Sequence, residues 1–277
     1  MVDPMGATPI AFDSDGTALV GTLHRPAPPP DQHGARTAHA SAGPPVGVPC
    51  LVLSHGFPRG PGAAAICGRS YPDLAERLAC ETGWSVLTFN HRGTGESDGQ
   101  FSLLGWLADL RAATDYALAE GASAVWAAGA GTGGTLALCD AAGDGRVRGV
   151  ATLGAPADFD SWAEDPAAFL DQARSTGAIS DADYPADFKA WADELSSVRP
   201  LAAAAAISPR PLLIVHGDAD DRVATTDARA LADTAGASAE LRILGEAGHL
   251  LRHDPRAVAM LMGWMHRQWA QPEDQNR

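Results

Sequence analysis

The sequence predicts an α/β fold in which helices cover both faces of a mostly parallel central sheet. Short apolar stretches alternate with longer helical patterns from Cys50 onward. This alternation is typical of parallel strands joined by right-handed crossover helices. The chain has 277 residues, of which 45% are hydrophobic and 19% charged, and this is enough to bury one sizeable core. A single domain over residues 1–277 is therefore expected.

The N-terminal region predicts an antiparallel hairpin ahead of the parallel strands. Two strand-like stretches between Pro9 and Arg25 flank Asp15-Gly16, a dipeptide that suits the positive φ of a tight turn. Residues 26–49 follow, and they are rich in Pro, Ala and Gly. Such a segment can neither form a sheet ladder nor pack a core, so we expect an exposed, flexible loop.

Six strands and five helices are predicted after this loop. The first strand is a continuous apolar run, which suits a strand buried on both faces. The predicted strands are Cys50–Leu53, Trp84–Phe89, Ala124–Ala128, Val147–Leu153, Pro211–His216 and Ala239–Leu244. The predicted helices are Tyr71–Thr82, Leu103–Glu120, Gly133–Ala142, Thr226–Ala235 and Pro255–Trp269.

Residues 157–205 interrupt the alternation and predict a small helical insertion. They hold no strand pattern, and apolar side chains recur at helical intervals among acidic ones: Trp162, Phe169, Phe188, Trp191 and Leu195. An insertion at this point in the chain can cover the carboxyl ends of the strands as a lid. We interpret its aromatic stripe as packing rather than as a ligand-binding box.

Net charge and cysteine spacing exclude several classes of function. The formal net charge is −14, which disfavours nucleic acids and anionic membrane surfaces as partners. Cys50, Cys67, Cys80 and Cys139 are too widely spaced for zinc-ligand pairs or a disulfide framework, so free thiols are expected. Neither a metal nor a cofactor is expected. No signal-peptide or membrane-spanning pattern is visible, which favours a cytoplasmic location.

Five short motifs occur in one order, each at the end of a predicted strand. They are His55-Gly56-Phe57-Pro58, the segment from Asn90 to Ser97, Gly129-Ala130-Gly131-Thr132-Gly133-Gly134, Gly217-Asp218-Ala219-Asp220, and Gly248-His249. Each motif alone is a weak signal. Together, over nearly the whole chain, they resemble the α/β-hydrolase superfamily, in its esterase and serine aminopeptidase-like branch.

The resemblance implies a site with one member missing. In that family, a serine stands on a tight turn between strand and helix, flanked by small residues. Gly129 and Gly133 match the flanking positions, but Gly131 stands at the nucleophile position and cannot form an acyl-enzyme. Asp220 matches the acid and His249 the general base.

The resemblance also assigns supporting residues around that position. The backbone N–H groups of Phe57 and Thr132 match the two donors of an oxyanion hole, which need no particular side chain. His55 and Gly56 would shape the oxyanion loop. Arg92 would brace neighbouring loops.

Other interpretations of these residues remain open. Four residues are candidates for a replacement nucleophile: Thr132, Ser54, Ser97 and Cys139. None is expected within hydrogen-bond reach of the base. His249 alone could be an ordinary loop histidine, and Asp220 alone could be a helix-capping or turn residue. Their joint placement at the ends of the last two strands favours a facing pair.

Three functions are consistent with this pattern. The first is a pseudoenzyme that binds a small molecule in a lidded pocket, or a protein partner; the net charge suggests an uncharged or cationic ligand. The second is an enzyme that uses His249 as a general base without a covalent step, in hydrolase, lyase or isomerase chemistry. The third is a glycine variant of an active serine esterase or aminopeptidase. A homodimer is one assembly that the sequence allows.

Overall fold

The computed structural model describes residues 6–26 and 47–269 of the chain. The loop predicted at 26–49 lies almost entirely outside these residues. None of the helices within the described ranges combines the length and apolar character needed to span a bilayer.

Eight strands form one sheet, in the order β1-β2-β4-β3-β5-β6-β7-β8. The strands are β1 (Ala7–Ser14), β2 (Thr17–His24), β3 (Cys50–Ser54), β4 (Ser85–Phe89), β5 (Val125–Ala130), β6 (Val147–Leu153), β7 (Leu212–Gly217) and β8 (Ala239–Leu244). Strands β1 and β2 are antiparallel, β2 is antiparallel to β4, and the remaining pairs are parallel. The predicted mostly parallel sheet with an N-terminal hairpin is thereby confirmed. The hairpin turns through Asp15 and Gly16 at φ values of 50° and 80°.

Nine α-helices lie within the described ranges of the chain. They are α1 (Tyr71–Thr82), α2 (Leu103–Ala119), α3 (Thr132–Gly143), α4 (Asp160–Glu164), α5 (Pro166–Thr176), α6 (Phe188–Ser197), α7 (Pro200–Ile207), α8 (Thr225–Ala235) and α9 (Pro255–Gln268). The five predicted helices correspond to α1, α2, α3, α8 and α9, with ends that agree to within one residue.

The helices divide between the two faces of the sheet, and each face has its own hydrophobic cluster. Helices α1 and α9 cover one face, and α2, α3, α7 and α8 cover the other. Strand β3 shows why both faces are apolar. Its Cys50 and Val52 pack into one cluster, whereas Leu51 and Leu53 pack into the other. The continuous apolar run therefore belongs to a strand that is buried on both sides.

The region predicted as an insertion is helical, and it packs over the loop that follows β3. The rings of Trp162 in α4 and Phe169 in α5 stack with centroids 4.0 Å apart, and Phe57 lies 5.2 Å from each. Helix α7 begins within the predicted 157–205 segment, ends at Ile207, and packs against α3 and α8 on the sheet face. Of the aromatic side chains, Phe169 and Trp191 are buried in the core, whereas Trp162 is partly buried and Phe188 is exposed.

Arg92 connects three elements around the turn that follows β4. Its guanidinium contacts Asp109 Oδ1 of α2 at 2.9 Å through Nε and 2.7 Å through Nη2, and its backbone N–H donates to Asp109 Oδ2. The Nη2 group also donates to the hydroxyl of Ser14 in β1. Asp109 is fully buried, so this carboxylate depends on Arg92 for charge compensation.

We predict that Asp109→Ala lowers the free energy of unfolding by about 3 kcal/mol or more, because it leaves a charged guanidinium without its buried partner. Asp115→Ala is the matched control, since Asp115 pairs with Arg146 at the surface, where both side chains are about half exposed. The control should change stability by no more than about 1 kcal/mol. Denaturant titrations of both variants test the difference, and equal effects would contradict it.

Candidate active site

Gly131 lies at the sharp turn between β5 and α3 and has an unusual backbone conformation. Its φ is 53° and its ψ is −129°, a region that residues with a Cβ rarely adopt. Its backbone N–H donates to Leu153 O in β6 at 2.9 Å, which fixes the turn to the neighbouring strand. A Cβ built on Gly131 would lie 3.5 Å from Nε2 of His249. A side chain at this position would therefore point at the imidazole.

The glycines around Gly131 are required by close backbone contacts. A Cβ on Gly129 would lie 2.5 Å from the backbone of Gly133, and a Cβ on Gly133 would collide with the backbone of His55. A Cβ on Gly134 would lie 2.6 Å from Gly129 O. The turn is thus as tight as the flanking glycines of the sequence motif indicate.

Asp220 and His249 face one another beside this turn. Asp220 follows β7, and His249 follows β8. Nδ1 of His249 lies 2.9 Å from Asp220 Oδ2, and the other carboxylate oxygen accepts the backbone N–H groups of Arg222 and Val223. Gly154 leaves room for the pair, because a Cβ there would lie 3.3 Å from Asp220 Oδ2. The carboxylate is fully buried and orients the imidazole.

The protonation states of the pair follow from these contacts. Burial would raise the pKa of Asp220, but the hydrogen bonds from Val223, His249 and Arg222 outweigh it and hold the pKa below its usual value. Burial lowers the pKa of His249, Asp220 partly offsets this, and the charges of Arg222 and Arg59 lower the pKa further. His249 is therefore a neutral imidazole at neutral pH, with Nδ1–H donating to Asp220.

The two backbone donors expected for an oxyanion hole lie at adjacent turns. A Cβ on Gly56 would lie 2.8 Å from Ala130 O and 3.7 Å from Thr132 N, so the loop after β3 contacts the turn after β5. Within the described chain, the N–H groups of Phe57 and Thr132 donate to no protein acceptor. Both residues line the same cavity. Both donors are thus free for a ligand.

His55 is occupied by structural hydrogen bonds. Its Nε2 accepts the backbone N–H of His91 at 3.1 Å, and its Nδ1 lies 2.9 Å from Gly56 O. Both ring nitrogens are thus engaged by neighbouring backbone groups. His55 therefore fixes the loop that carries Phe57.

Three of the four candidate replacement nucleophiles are engaged or buried elsewhere, whereas Thr132 adjoins Gly131 and lines the cavity. Ser54 is buried and lies 2.8 Å from His91 Nε2. Ser97 donates to Asn90 O and accepts the N–H of Val20, so it holds a turn to β2. Burial raises the pKa of the Cys139 thiol to about 12. In the described part of the chain, no hydroxyl or thiol is hydrogen-bonded to His249.

A cavity of about 610 Å³ opens above Gly131 and His249. Asp158, Phe159, Ser161 and Trp162 contribute to its lining and come from the helical region after β6, so this region covers part of the site. Ile66 and Leu250 also line it and are about half exposed. A space of this size accommodates a small organic molecule.

The net charge suggests an uncharged or cationic ligand, but most of the charged side chains that line the cavity are basic. Its lining includes four arginines, Arg59, Arg69, Arg222 and Arg252, against two acids, Asp73 and Asp158. The sequence interpretation missed these arginines. A signal was present, because three of them follow a site residue by two or three positions: Arg59 follows Phe57, Arg222 follows Asp220, and Arg252 follows His249.

The sheet order and the turn at Gly131 define an α/β-hydrolase fold, and solved structures share it. Est1E from Butyrivibrio proteoclasticus has a TM-score of 0.67 at 19% identity, covering 95% of this chain and 99% of that chain. Alpha/beta hydrolase GrgF from Penicillium sp. sh18 has a TM-score of 0.67 at 21% identity, covering 96% and 99%. The esterase Pf2001 of Pyrococcus furiosus has a TM-score of 0.65 at 14% identity, covering 96% and 93%.

Residues 73–271 match the prolyl oligopeptidase family, and the chain belongs to that family. The matched region begins in α1 and includes Gly131, Asp220 and His249. No curated protein matches the sequence significantly. Because the identities are only 14% to 21%, the likeness to these solved structures shows the fold alone.

We predict that Gly131→Ala lowers the free energy of unfolding by about 1 to 3 kcal/mol, because alanine is strained at φ 53° and ψ −129°. Steric collision contributes little, since the added Cβ meets His249 at ordinary contact distance. Gly145→Ala is the control: no atom lies within 4 Å of its added Cβ, and its φ is outside the positive range. The control should be neutral or slightly stabilising in the same denaturant titration. An equal loss in both variants would refute the strain at Gly131.

Proposed function

We propose that this protein is a hydrolase-fold pseudoenzyme that binds a small carbonyl-containing ligand, an ester or amide, without forming an acyl-enzyme. The observation that carries the proposal is the position of Gly131 opposite Nε2 of His249. An acid, a base and two free backbone donors surround a position that has no nucleophilic atom. Such donors stabilise a polarised carbonyl oxygen even when no covalent bond forms.

Two nucleophilic side chains that line the cavity, Ser70 and Cys67, have hydrogen-bonding partners other than His249. Ser70 accepts a hydrogen bond from Arg252 Nε at 3.1 Å. The sulfur of Cys67 lies 3.6 Å from His55 Nδ1, a nitrogen already directed at Gly56 O. Neither side chain is hydrogen-bonded to His249. Burial would raise the pKa of the Cys67 thiol, but His55 outweighs this and lowers it, so the base nearest to Cys67 is His55.

A second function, general-base catalysis on water, is favoured by the state of His249. Its Nε2 makes no hydrogen bond within the described ranges, and the imidazole is neutral at neutral pH for the reasons given above. The missing side chain at Gly131 leaves space in which a water molecule fits beside that nitrogen. His249 would then deprotonate the water, and the donors at Phe57 and Thr132 would hold the carbonyl oxygen.

The geometry also fits a glycine variant of a serine hydrolase. A serine side chain at Gly131 would meet no backbone atom, and its Cβ would lie at van der Waals distance from His249. The site therefore retains room for the atom whose absence defines the pseudoenzyme. This property makes the proposal testable by restoring that atom.

We predict that the parent protein is not labelled by a fluorophosphonate probe, whereas Gly131→Ser is labelled covalently. Intact-mass spectrometry measures the adduct, and peptide mapping locates it. Gly131→Ala controls for the backbone effect and should stay unlabelled. Turnover of esters by Gly131→Ser is a stricter requirement, because a misplacement of about 1 Å can cost a hundredfold in rate. Stoichiometric labelling of the parent would overturn the proposal.

The labelling rate of Gly131→Ser should depend on the protonation of His249. Burial lowers the pKa of His249 from its ordinary value, Asp220 offsets part of this, and the two arginines lower it further, so the neutral base persists at neutral pH and is lost in acid. The labelling rate should therefore fall as the solution is made acidic, with a midpoint below that of a free imidazole. A midpoint above that of a free imidazole would contradict the assigned environment of His249.

His249→Ala in the parent separates binding from general-base catalysis. If the protein hydrolyses an activated short-chain ester through His249, this change should lower the rate by about a hundredfold or more. A change within about twofold would favour the binding function. His253→Ala is the matched control, because His253 lines the same cavity but has no carboxylate partner within the described chain. Initial rates with p-nitrophenyl acetate provide the measurement.

A further inference from the structure

Two arginines line the cavity near His249, and neither has a close, buried carboxylate partner among the described residues. Arg59 and Arg222 both line the cavity, and the charge of each acts on the imidazole. In the part of the chain that the structure describes, Arg59 makes no salt bridge. The nearest acid of Arg222 is Asp221 at 3.8 Å, whose side chain is 85% exposed. An ion pair this exposed and this long does little to neutralise Arg222.

Asp220 also lies near these arginines, but both of its carboxylate oxygens already take part in hydrogen bonds. One of its oxygens accepts two backbone N–H groups, and the other is bound to His249. Its carboxylate is fully buried. Asp220 therefore makes no hydrogen bond to either guanidinium, although its charge acts on Arg59.

The mutual effect of the charges agrees with this geometry. Partial burial lowers the pKa of Arg59 and the charge of Arg222 lowers it further, while the charges of Asp220 and Asp221 offset only part of this. Both arginines also lower the pKa of His249. Positive charges gathered in one cavity favour the entry of an anion.

We propose that the ligand of this cavity carries a carboxylate, which Arg59 and Arg222 bind next to His249. The proposal rests on the proposed function, since it specifies the charge of the carbonyl compound that the site holds. A guanidinium presents parallel N–H donors that match the two oxygens of a carboxylate. The ligand class is therefore a monoester or monoamide of a short dicarboxylic acid, with its carbonyl at Phe57 and Thr132 and its free carboxylate at the arginines.

The rest of the cavity is consistent with an anionic ligand. Arg252 donates through Nε to Ser70 and lies 5.6 Å from the centre of the Tyr71 ring, which leaves its other N–H groups without an acid partner among the described residues. The chain as a whole carries a net charge of −14. Arginines concentrated in one cavity of an acidic protein create a local field that the net charge conceals.

The test is a binding measurement on the full-length parent protein. Isothermal titration calorimetry compares the monomethyl esters of succinate, glutarate and adipate with methyl esters of neutral acids of equal length. For example, monomethyl glutarate is compared with methyl pentanoate, and inorganic phosphate serves as a further anion. We expect at least one monoester to bind about tenfold or more tightly than its neutral counterpart, the effect of one charge-assisted hydrogen bond.

Variants assign this preference to the two arginines. Arg59→Gln and Arg222→Gln should each remove about tenfold or more of the affinity for the best monoester, with little effect on the neutral ester. Arg77→Gln is the matched control, because Arg77 pairs with Glu81 on the exposed side of α1, outside the cavity. Thermal melting shows whether each variant folds like the parent.

Four results would each overturn the carboxylate proposal: equal affinity for charged and neutral esters, no detectable binding of any monoester, unchanged affinity in both arginine variants, or tighter binding of phosphate than of every monoester. These outcomes are separate from the fluorophosphonate test. Covalent labelling of the parent would refute the pseudoenzyme function, whereas a loss of charge preference would refute only the anionic ligand.

Discussion

The backbone conformation of Gly131 is the constraint on which the site depends. At φ 53° and ψ −129°, the chain leaves β5 and enters α3 within one residue, held by the hydrogen bond from Gly131 to Leu153. The same turn brings Gly133 against His55 and directs the Gly131 position at His249. A residue with a Cβ would be strained there, and active sites commonly retain such strain for a reactive side chain. Glycine adopts this turn without that strain.

The Asp220 and His249 pair is held in place by its own contacts. The carboxylate is held by two backbone N–H groups as well as by the imidazole, so its position does not depend on residue 131. The loop that carries Phe57 is likewise fixed by His55 and by the ring contacts with Trp162 and Phe169. The residues around Gly131 are therefore held in place by contacts that also serve the fold.

The sequence was informative where strand ends and motifs coincide. Asp220, Gly131 and His249 each follow a parallel strand, and the carboxyl ends of such strands meet at one edge of the sheet. The sequence pattern predicts that β5 ends at Ala128, whereas the strand continues for two more residues, to Ala130. Gly129 and Ala130 continue the ladder by pairing with Thr152 and Leu153, and small residues give no hydrophobic signal for this.

The charge of the cavity could not be derived from composition. Net charge averages over the whole surface, whereas Arg59 and Arg222 act on His249 through their position in two loops that only the fold brings together. The sequence also does not show that α7 packs on the face of the sheet. Its alanine-rich sequence resembles any short helix, and only packing against α3 and α8 distinguishes it.

The most direct test of the central claim is a crystal structure of Gly131→Ser. The measured quantity is the distance between the introduced hydroxyl oxygen and Nε2 of His249. The account predicts about 2.6 to 3.2 Å, hydrogen-bond reach for a nucleophile and its base, with the β5 to α3 turn unchanged. A hydroxyl directed away from His249 over an intact turn, or a turn that adopts a different path, would contradict the assignment of Gly131 as the nucleophile position.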